Sequence, residues 1–184
     1  MSKLPQKHQF LDLSDYGRSF GHLIATKLID TSLTPIHVTT MFLITGFVAI
    51  GLLLKGYLIA SAFLLLLKSI LDAADGELAR LKKKPSYFGR YYDSISDLIL
   101  NFCFLLTLWY ITDISFTYMI IAFLAIQLQG TLYNYYYVIL RNSVKGDSTS
   151  RIFENTTPKA LNGESKLAVN IFYNIYYLLY IPFD

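Results

Sequence analysis

The sequence predicts an all-α integral membrane protein: a bundle of five transmembrane helices preceded by an amphipathic interfacial helix. Hydrophobic residues make up 54% of the 184-residue chain and charged residues only 16%, well below the quarter that is usual in soluble domains. The mean hydropathy is +0.42. Apolar runs close to the roughly 20 residues that a membrane-spanning helix needs recur along the chain, separated by short polar turns.

The chain length predicts one domain, over residues 1–184. Its first element is predicted at residues 8–33, where apolar residues such as Phe20 and Leu23 recur at helical spacing among charged ones. This pattern is typical of an amphipathic helix in the membrane interface, with its apolar face towards lipid or the bundle. A soluble extension is the alternative interpretation.

Five membrane spans are predicted from the apolar runs and the turn signals between them. They cover residues 36–54, 57–80, 90–111, 116–140 and 167–183. The Thr34-Pro35 pair precedes the first span, and Lys55-Gly56 is a tight turn between the first two. The fifth run is only marginally long. Either the bundle has five spans, or a last helix is missing from the sequence.

The placement of lysine and arginine predicts the orientation of the bundle. One side carries Lys3, Lys7, Arg18 and Lys27 before the first span, Lys82, Lys83, Lys84 and Arg90 between the second and third, and Arg141, Lys145, Arg151, Lys159 and Lys166 between the last two. The opposite side has only Lys55. Because basic loops stay in the cytoplasm, the N-terminus and the loop between the second and third spans are predicted to face it.

Four aspartates lie on two neighbouring spans around that basic loop. Asp72 and Asp75 are three residues apart near the end of the second span, and Asp93 and Asp97 are four apart at the start of the third. Each spacing places both side chains on one helix face. Since a short loop makes the two spans antiparallel neighbours, the two acidic faces can meet near the cytoplasmic surface.

Such a cluster needs a cation, because ionisable groups in a membrane span are costly and mark function. Mg²⁺, Mn²⁺ and Ca²⁺ prefer oxygen ligands, and no histidine or cysteine joins the cluster to suggest zinc. Gly76, Ala79 and Gly89 remove bulk beside the acids and leave a slot for a ligand. Arg80 supplies a planar fork suited to phosphate oxygens. Together these residues predict a site that transfers a phosphate-linked group.

The stretch from Asp72 to Asp97 contains D-x-x-D-G-x-x-A-R, eight further residues, and G-x-x-x-D-x-x-x-D. Every fixed position and every spacing of this motif matches the signature of the CDP-alcohol phosphatidyltransferase family, which the chain therefore resembles. The resemblance implies transfer of a substituted phosphate group from a CDP-linked alcohol to a hydroxyl acceptor, with release of CMP. It also implies a family norm of six spans.

The resemblance implies roles for the acidic residues. Asp72, Asp75 and Asp93 are implied ligands of a two-metal site for Mg²⁺ or Mn²⁺, with Asp97 completing it. Asp97 is also the implied catalytic base that takes the proton of the acceptor hydroxyl.

The resemblance likewise implies that Gly76, Ala79 and Arg80 belong to the pocket for the CDP moiety and that Gly89 lets the helices approach. Family members often carry Pro-Asn at the start of the first span, whereas here Ile36 and His37 follow the proline and Thr39 is kept. The role of His37 is therefore open. Glu77 is expected to be a supporting or solvated residue, and His22 a solvated one.

The predicted function is metal-dependent transfer in phospholipid biosynthesis, with CDP-diacylglycerol as the favoured donor and a small or lipid alcohol as acceptor. CDP-ethanolamine or CDP-choline is the alternative donor. A divalent-cation transporter is the rival from another class, but it predicts acids spread across the membrane depth. A purely structural cluster is a third interpretation, in which Lys68 pairs with Asp72. Membrane lipids are predicted partners, nucleic acid is not, and a homodimer is left open.

Overall fold

The computed structural model describes residues 4, 6–8, 10, 16–144 and 156–183, and every regular element among them is helical. A short 3₁₀ helix at Gln6–His8 precedes six α-helices. The α-helices are α1 (Arg18–Leu28), α2 (Pro35–Leu54), α3 (Leu58–Leu81), α4 (Tyr87–Ile111), α5 (Phe116–Ser143) and α6 (Lys166–Tyr180). The all-α prediction is confirmed for these residues. Predictions that fall on Lys3, Lys145, Arg151 and residues 9 and 11–15 lie outside the described part of the chain.

Three helices, α2, α4 and α5, are long and apolar enough to cross a membrane. They coincide with the spans predicted at 36–54, 90–111 and 116–140. α3 has 24 residues and covers the predicted second span, but its last third carries charges. α6 has 15 residues, or about 22 Å at 1.5 Å per residue, against a hydrocarbon core of roughly 30 Å. The chain is an integral membrane protein, and the count of five spans stays a prediction.

The start of α2 explains the role of His37. Thr34 is the N-cap, and Pro35 fills the first helical position, where a missing N–H costs nothing. The backbone N–H of Thr34 donates to Nδ1 of His37 at 3.1 Å, and the threonine hydroxyl lies 2.6 Å from the same nitrogen. His37 therefore closes a capping box at this helix end.

The other helix boundaries also follow from local signals in the sequence. Serine caps α4, α5 and α6, and each cap accepts a backbone N–H of the first turn. The tight turn between α2 and α3 lies at Lys55-Gly56 as predicted. Gly56 has a φ of +80°, a left-handed conformation that favours glycine.

The core lies where α2, α3 and α4 meet. Three clusters of buried residues hold the bundle together: Ala25, Val38, Ala74 and Leu78 in the first, Phe42, Ile50 and Leu100 in the second, and Tyr91, Ile95 and Tyr173 in the third. The helices α2 and α4 come close at Gly46, where an added Cβ would lie 2.5 Å from the Leu100 side chain. This packing places the ends of α3 and α4 that carry aspartate next to the start of α2.

Helix α1 and the glycine that precedes it pack along the second half of α3. A Cβ at Gly17 would lie 3.2 Å from the carbonyl oxygen of Ser69, and a Cβ at Gly21 would lie 3.0 Å from backbone atoms of Ala73 and Ala74. Such small residues four apart allow two helix backbones to approach closely in a membrane protein. The glycines of α1 therefore fix its position on α3.

The two faces of α1 differ in the size of their side chains. Its buried residues are Gly21 and Ala25, whereas Phe20 and Leu23 are 60% and 55% exposed. The helix is shorter than the predicted range of 8–33 and turns its small face to the bundle. Its large apolar face points outward, and its position in the membrane interface stays a prediction.

Valine at Gly21 is expected to destabilise the protein by about 3 kcal/mol, the upper end of the usual cost of overpacking. The added atoms would press on the backbone of α3, which cannot move aside as a side-chain tip can. The matched control is Gly51→Val on α2, where an added Cβ meets no described atom within 4 Å. Thermal unfolding in detergent measures both variants, and equal melting temperatures would contradict the proposed α1–α3 contact.

The C-terminal helices surround α4. Tyr91 of α4 is fully buried, and its ring centroid lies 5.7 Å from that of Tyr173 and 5.0 Å from that of Tyr176, both on α6. Just before α6, Glu164 accepts a hydrogen bond from the Ser86 hydroxyl at 2.7 Å. α6 is thereby fastened to the beginning of α4, while α5 packs on α4 and leaves most of its surface exposed.

Candidate metal and nucleotide site

Three predicted metal ligands meet where α3 and α4 face each other. Asp72, Asp75 and Asp93 each offer a carboxylate oxygen, and these oxygens all lie within 4.8 Å of one another. Mn²⁺ and Mg²⁺ both favour oxygen donors. The donor set therefore fits one hard divalent cation.

The carboxylate of Asp75 is held from a third helix. Asp75 is 6% exposed, and the hydroxyl of Thr39 on α2 donates to its Oδ2 at 2.6 Å. The same hydroxyl lies 3.1 Å from the carbonyl oxygen of Pro35. Hydrogen bonds of this kind orient metal ligands and tune their affinity. Thr39 therefore supports the acidic cluster, a role that the sequence motif alone does not reveal.

Asp97 has a different partner from the other three acids. Its Oδ1 accepts a hydrogen bond from the ammonium of Lys68, with which it forms an ion pair. The alternative interpretation pairs Lys68 with Asp72, and the structure adds a partner that it does not include: the lysine side chain reaches across to Asp97 on α4, while Asp72 also interacts with it electrostatically. The role of Asp97 as a metal ligand stays a prediction.

Arg80 lies on α3, five residues after Asp75, and is bound by an acid of its own helix. Its Nη2 and Nε donate to Oε2 of Glu77 at 2.7 Å and 3.3 Å. Its Nη1 lies 3.5 Å from the point that a Cβ at Gly76 would occupy. Outside the immediate helix neighbours of Gly76, the guanidinium is the only described group within 4 Å of that point. A slot for a ligand at Gly76 stays a prediction.

The partners of Glu77 are the feature of this region that sequence reasoning missed. Glu77 is 1% exposed, and its Oε1 lies 2.8 Å from Nδ1 of His22 on α1. A buried carboxylate needs such partners. Of the two expectations for Glu77, a supporting or a solvated residue, the solvated one is wrong because α1 covers this side of α3. His22 keeps about half of its side chain exposed (52%), but it is a partner of Glu77 and not simply a surface residue.

A family model described as CDP-alcohol phosphatidyltransferase matches residues 33–181. The chain belongs to this family. Its members are transferases that move a substituted phosphate group from a CDP-alcohol to an alcohol acceptor. The resemblance drawn from the aspartate motif is thus confirmed. No curated protein and no solved structure matches the chain significantly.

The matched region of this CDP-alcohol phosphatidyltransferase includes α2 to α6 and leaves out α1. The acids, Arg80 and Glu77 therefore lie inside the region that the family model matches. His22, which contacts Glu77 from α1, lies outside it. The contact between α1 and α3 consequently adds a feature that the family match does not account for.

Gly89 and Ala79 complete the predicted pocket residues. A Cβ at Gly89 would lie 3.1 Å from the Ser86 hydroxyl and 3.7 Å from Ile36 of α2. The glycine thus leaves room for the serine cap of α4, and its role in the approach of the helices stays a prediction. Ala79 is half-buried on α3. A role of either residue in binding CDP stays a prediction.

Proposed function

We propose that this protein is a metal-dependent phosphotransferase of phospholipid biosynthesis that uses CDP-diacylglycerol as its donor. The observation that carries the proposal is the meeting of carboxylate oxygens from Asp72, Asp75 and Asp93 across two helices. A transporter would need acids along the whole membrane depth. Here the acids collect at one end of α3 and α4, which favours a reaction at the membrane surface.

The proposed metal is Mg²⁺ or Mn²⁺, held by the three aspartates. When bound, it would polarise the phosphate oxygens and stabilise the charge that develops during transfer. The guanidinium of Arg80 binds donor phosphate oxygens, for which its planar fork is suited. Gly76 leaves room for the donor beside this guanidinium. The proposed CDP pocket consists of Gly76, Ala79 and Arg80 on α3 and Gly89 in the first turn of α4.

Asp97 is the proposed catalytic base. In the transfer, the acceptor oxygen forms a bond to the phosphorus of the substituted phosphate group, and the bond between that phosphorus and CMP breaks. The acceptor hydroxyl loses its proton to the Asp97 carboxylate. Asp97 is 39% exposed, so an acceptor that arrives from water or from the membrane surface can reach it.

The proposed orientation places the N-terminus and the acidic site towards the cytoplasm. The described basic residues Lys82, Lys83 and Lys84 lie between α3 and α4 at the acidic end of the bundle. Basic loops are retained on the cytoplasmic side. In this proposal the outward apolar surface of α5 contacts membrane lipid. The proposal is compatible with either a monomer or a homodimer.

The proposal predicts CMP release that requires both a divalent ion and an alcohol acceptor. Purified protein in detergent is incubated with CDP-diacylglycerol and a panel of alcohols, with CDP-ethanolamine and CDP-choline in parallel reactions. EDTA is expected to abolish CMP release, and Mg²⁺ or Mn²⁺ to restore it. Faster release from the aminoalcohol donors would identify the alternative transferase. Metal uptake into vesicles without CMP release from any donor would overturn the proposal.

A further inference from the structure

Lys68 is a charged residue that the family motif does not explain. It lies in the apolar run of α3, four residues before the first motif aspartate. A lysine inside a membrane helix is costly and marks a functional site by default. Its side chain is 13% exposed, so it does not escape to the membrane surface as a flanking lysine does.

The Lys68 ammonium lies among the acids of both helices. It forms an ion pair with Asp97 and interacts electrostatically with Asp72 and Asp93. On its other side it lies 5.0 Å from the ring centroid of Phe42, a fully buried residue of α2. A ring face attracts a cation at this distance. Three helices therefore fix one positive charge beside Asp97.

This position is where a second divalent ion would have to bind. The oxygens of Asp72, Asp75 and Asp93 define one site for an ion, and a second ion that used Asp97 would lie against the ammonium or displace it. Repulsion between a divalent ion and a buried ammonium is strong in a site of low dielectric constant. The fixed charge of Lys68 therefore favours a site with fewer metal ions than the family resemblance implies.

We propose that the Lys68 ammonium takes the place of a second divalent ion at Asp97, so that the protein holds one divalent ion on Asp72, Asp75 and Asp93. The inference rests on the proposed function of this site. Lys68 is a positioning residue: it holds the Asp97 carboxylate through an ion pair, in the place where a metal would hold it. Replacing Lys68 by a neutral residue should therefore leave the Asp97 carboxylate without its cationic partner, so that a second divalent ion can bind there.

The number of Mn²⁺ ions per chain tests this inference without an activity assay. Full-length protein in detergent is dialysed against Mn²⁺, and bound metal is counted by elemental analysis, with free ion measured by electron paramagnetic resonance. We expect one ion in the wild-type protein, two in Lys68→Met and one in Lys68→Arg. The control Lys55→Met removes the same charge at the opposite ends of α2 and α3 and should bind one ion. Asp75→Asn should bind none.

Two bound ions in the wild-type protein would overturn the inference while leaving the proposed metal-dependent function intact. One ion in Lys68→Met, bound as tightly as in the wild type, would also overturn it. If Lys68→Met does not fold, Lys68→Gln and the wild-type count still decide the question. A wild-type protein that binds no Mn²⁺ would overturn both the metal site and this inference.

Discussion

Asparagine at Asp97 is expected to slow CMP release by about 10²- to 10⁴-fold, the usual contribution of a general base. The asparagine amide keeps the size of the carboxylate but cannot take the acceptor proton. Donor binding should change by less than about threefold, because the proposed donor contacts are Arg80 and the acids that hold the metal. Single-turnover CMP release measures the first quantity, and equilibrium binding of labelled CDP-diacylglycerol measures the second.

Two other aspartates serve as comparisons for this variant. Asp75→Asn changes a proposed metal ligand, so it should weaken Mn²⁺ binding as well as CMP release. Asp113→Asn, in the exposed turn between α4 and α5, should behave like the wild type. Full turnover in Asp97→Asn would exclude Asp97 as the base. Loss of turnover together with loss of Mn²⁺ binding would instead assign Asp97 to the metal site.

The acidic site could be predicted because its geometry depends on short distances along the chain. Spacing of three residues puts Asp72 and Asp75 on one helix face. A short loop then makes α3 and α4 antiparallel neighbours, which brings Asp93 to the same place. The limits of α2 were similarly predictable, since Thr34-Pro35 and Lys55-Gly56 are local signals. The positions of the aspartates and the limits of α2 therefore both follow from residue spacing within a helix and from the residues at its turns.

The partners of Lys68 and Glu77 could not be predicted in this way. Spacing of four residues makes Asp72 the obvious partner of Lys68, but the relative rotation of α3 and α4 decides that Asp97 is bonded. Glu77 would lie in solvent if α1 did not cover that side of α3. Both outcomes depend on how helices pack, and periodicity in one helix does not specify the rotation of its neighbour.

The sequence does contain a signal for the packing of α1. Gly17 and Gly21 are four residues apart and Ala25 follows after four more, a pattern that permits close helix contact in membranes. The large apolar residues lie on the opposite face. The small residues identify the buried side of α1, and that side explains why Glu77 is enclosed.

Glutamine at Glu77 is expected to raise the KM for the CDP-alcohol donor by about tenfold or more and to change kcat less. The Glu77 carboxylate receives two hydrogen bonds from Arg80, and a charged acceptor binds roughly twice as strongly as a neutral one. Without it the guanidinium is no longer held next to Gly76, where the donor phosphates are proposed to bind. Removing one charge of a buried pair also costs about 3 kcal/mol of stability, which thermal unfolding in detergent measures.

His22→Gln is the matched control, because His22 contacts the other oxygen of the same carboxylate and is half exposed. We expect its KM to stay within about twofold of the wild type. A positioning role also predicts non-additivity: Arg80→Gln and the double variant with Glu77→Gln should have the same KM, since Glu77 then has no guanidinium to hold. Additive increases in KM, or an unchanged KM with lower stability, would make Glu77 a purely structural partner of Arg80. In that case the position of the guanidinium would depend on the donor itself, and the enclosure of Glu77 by α1 would serve only folding.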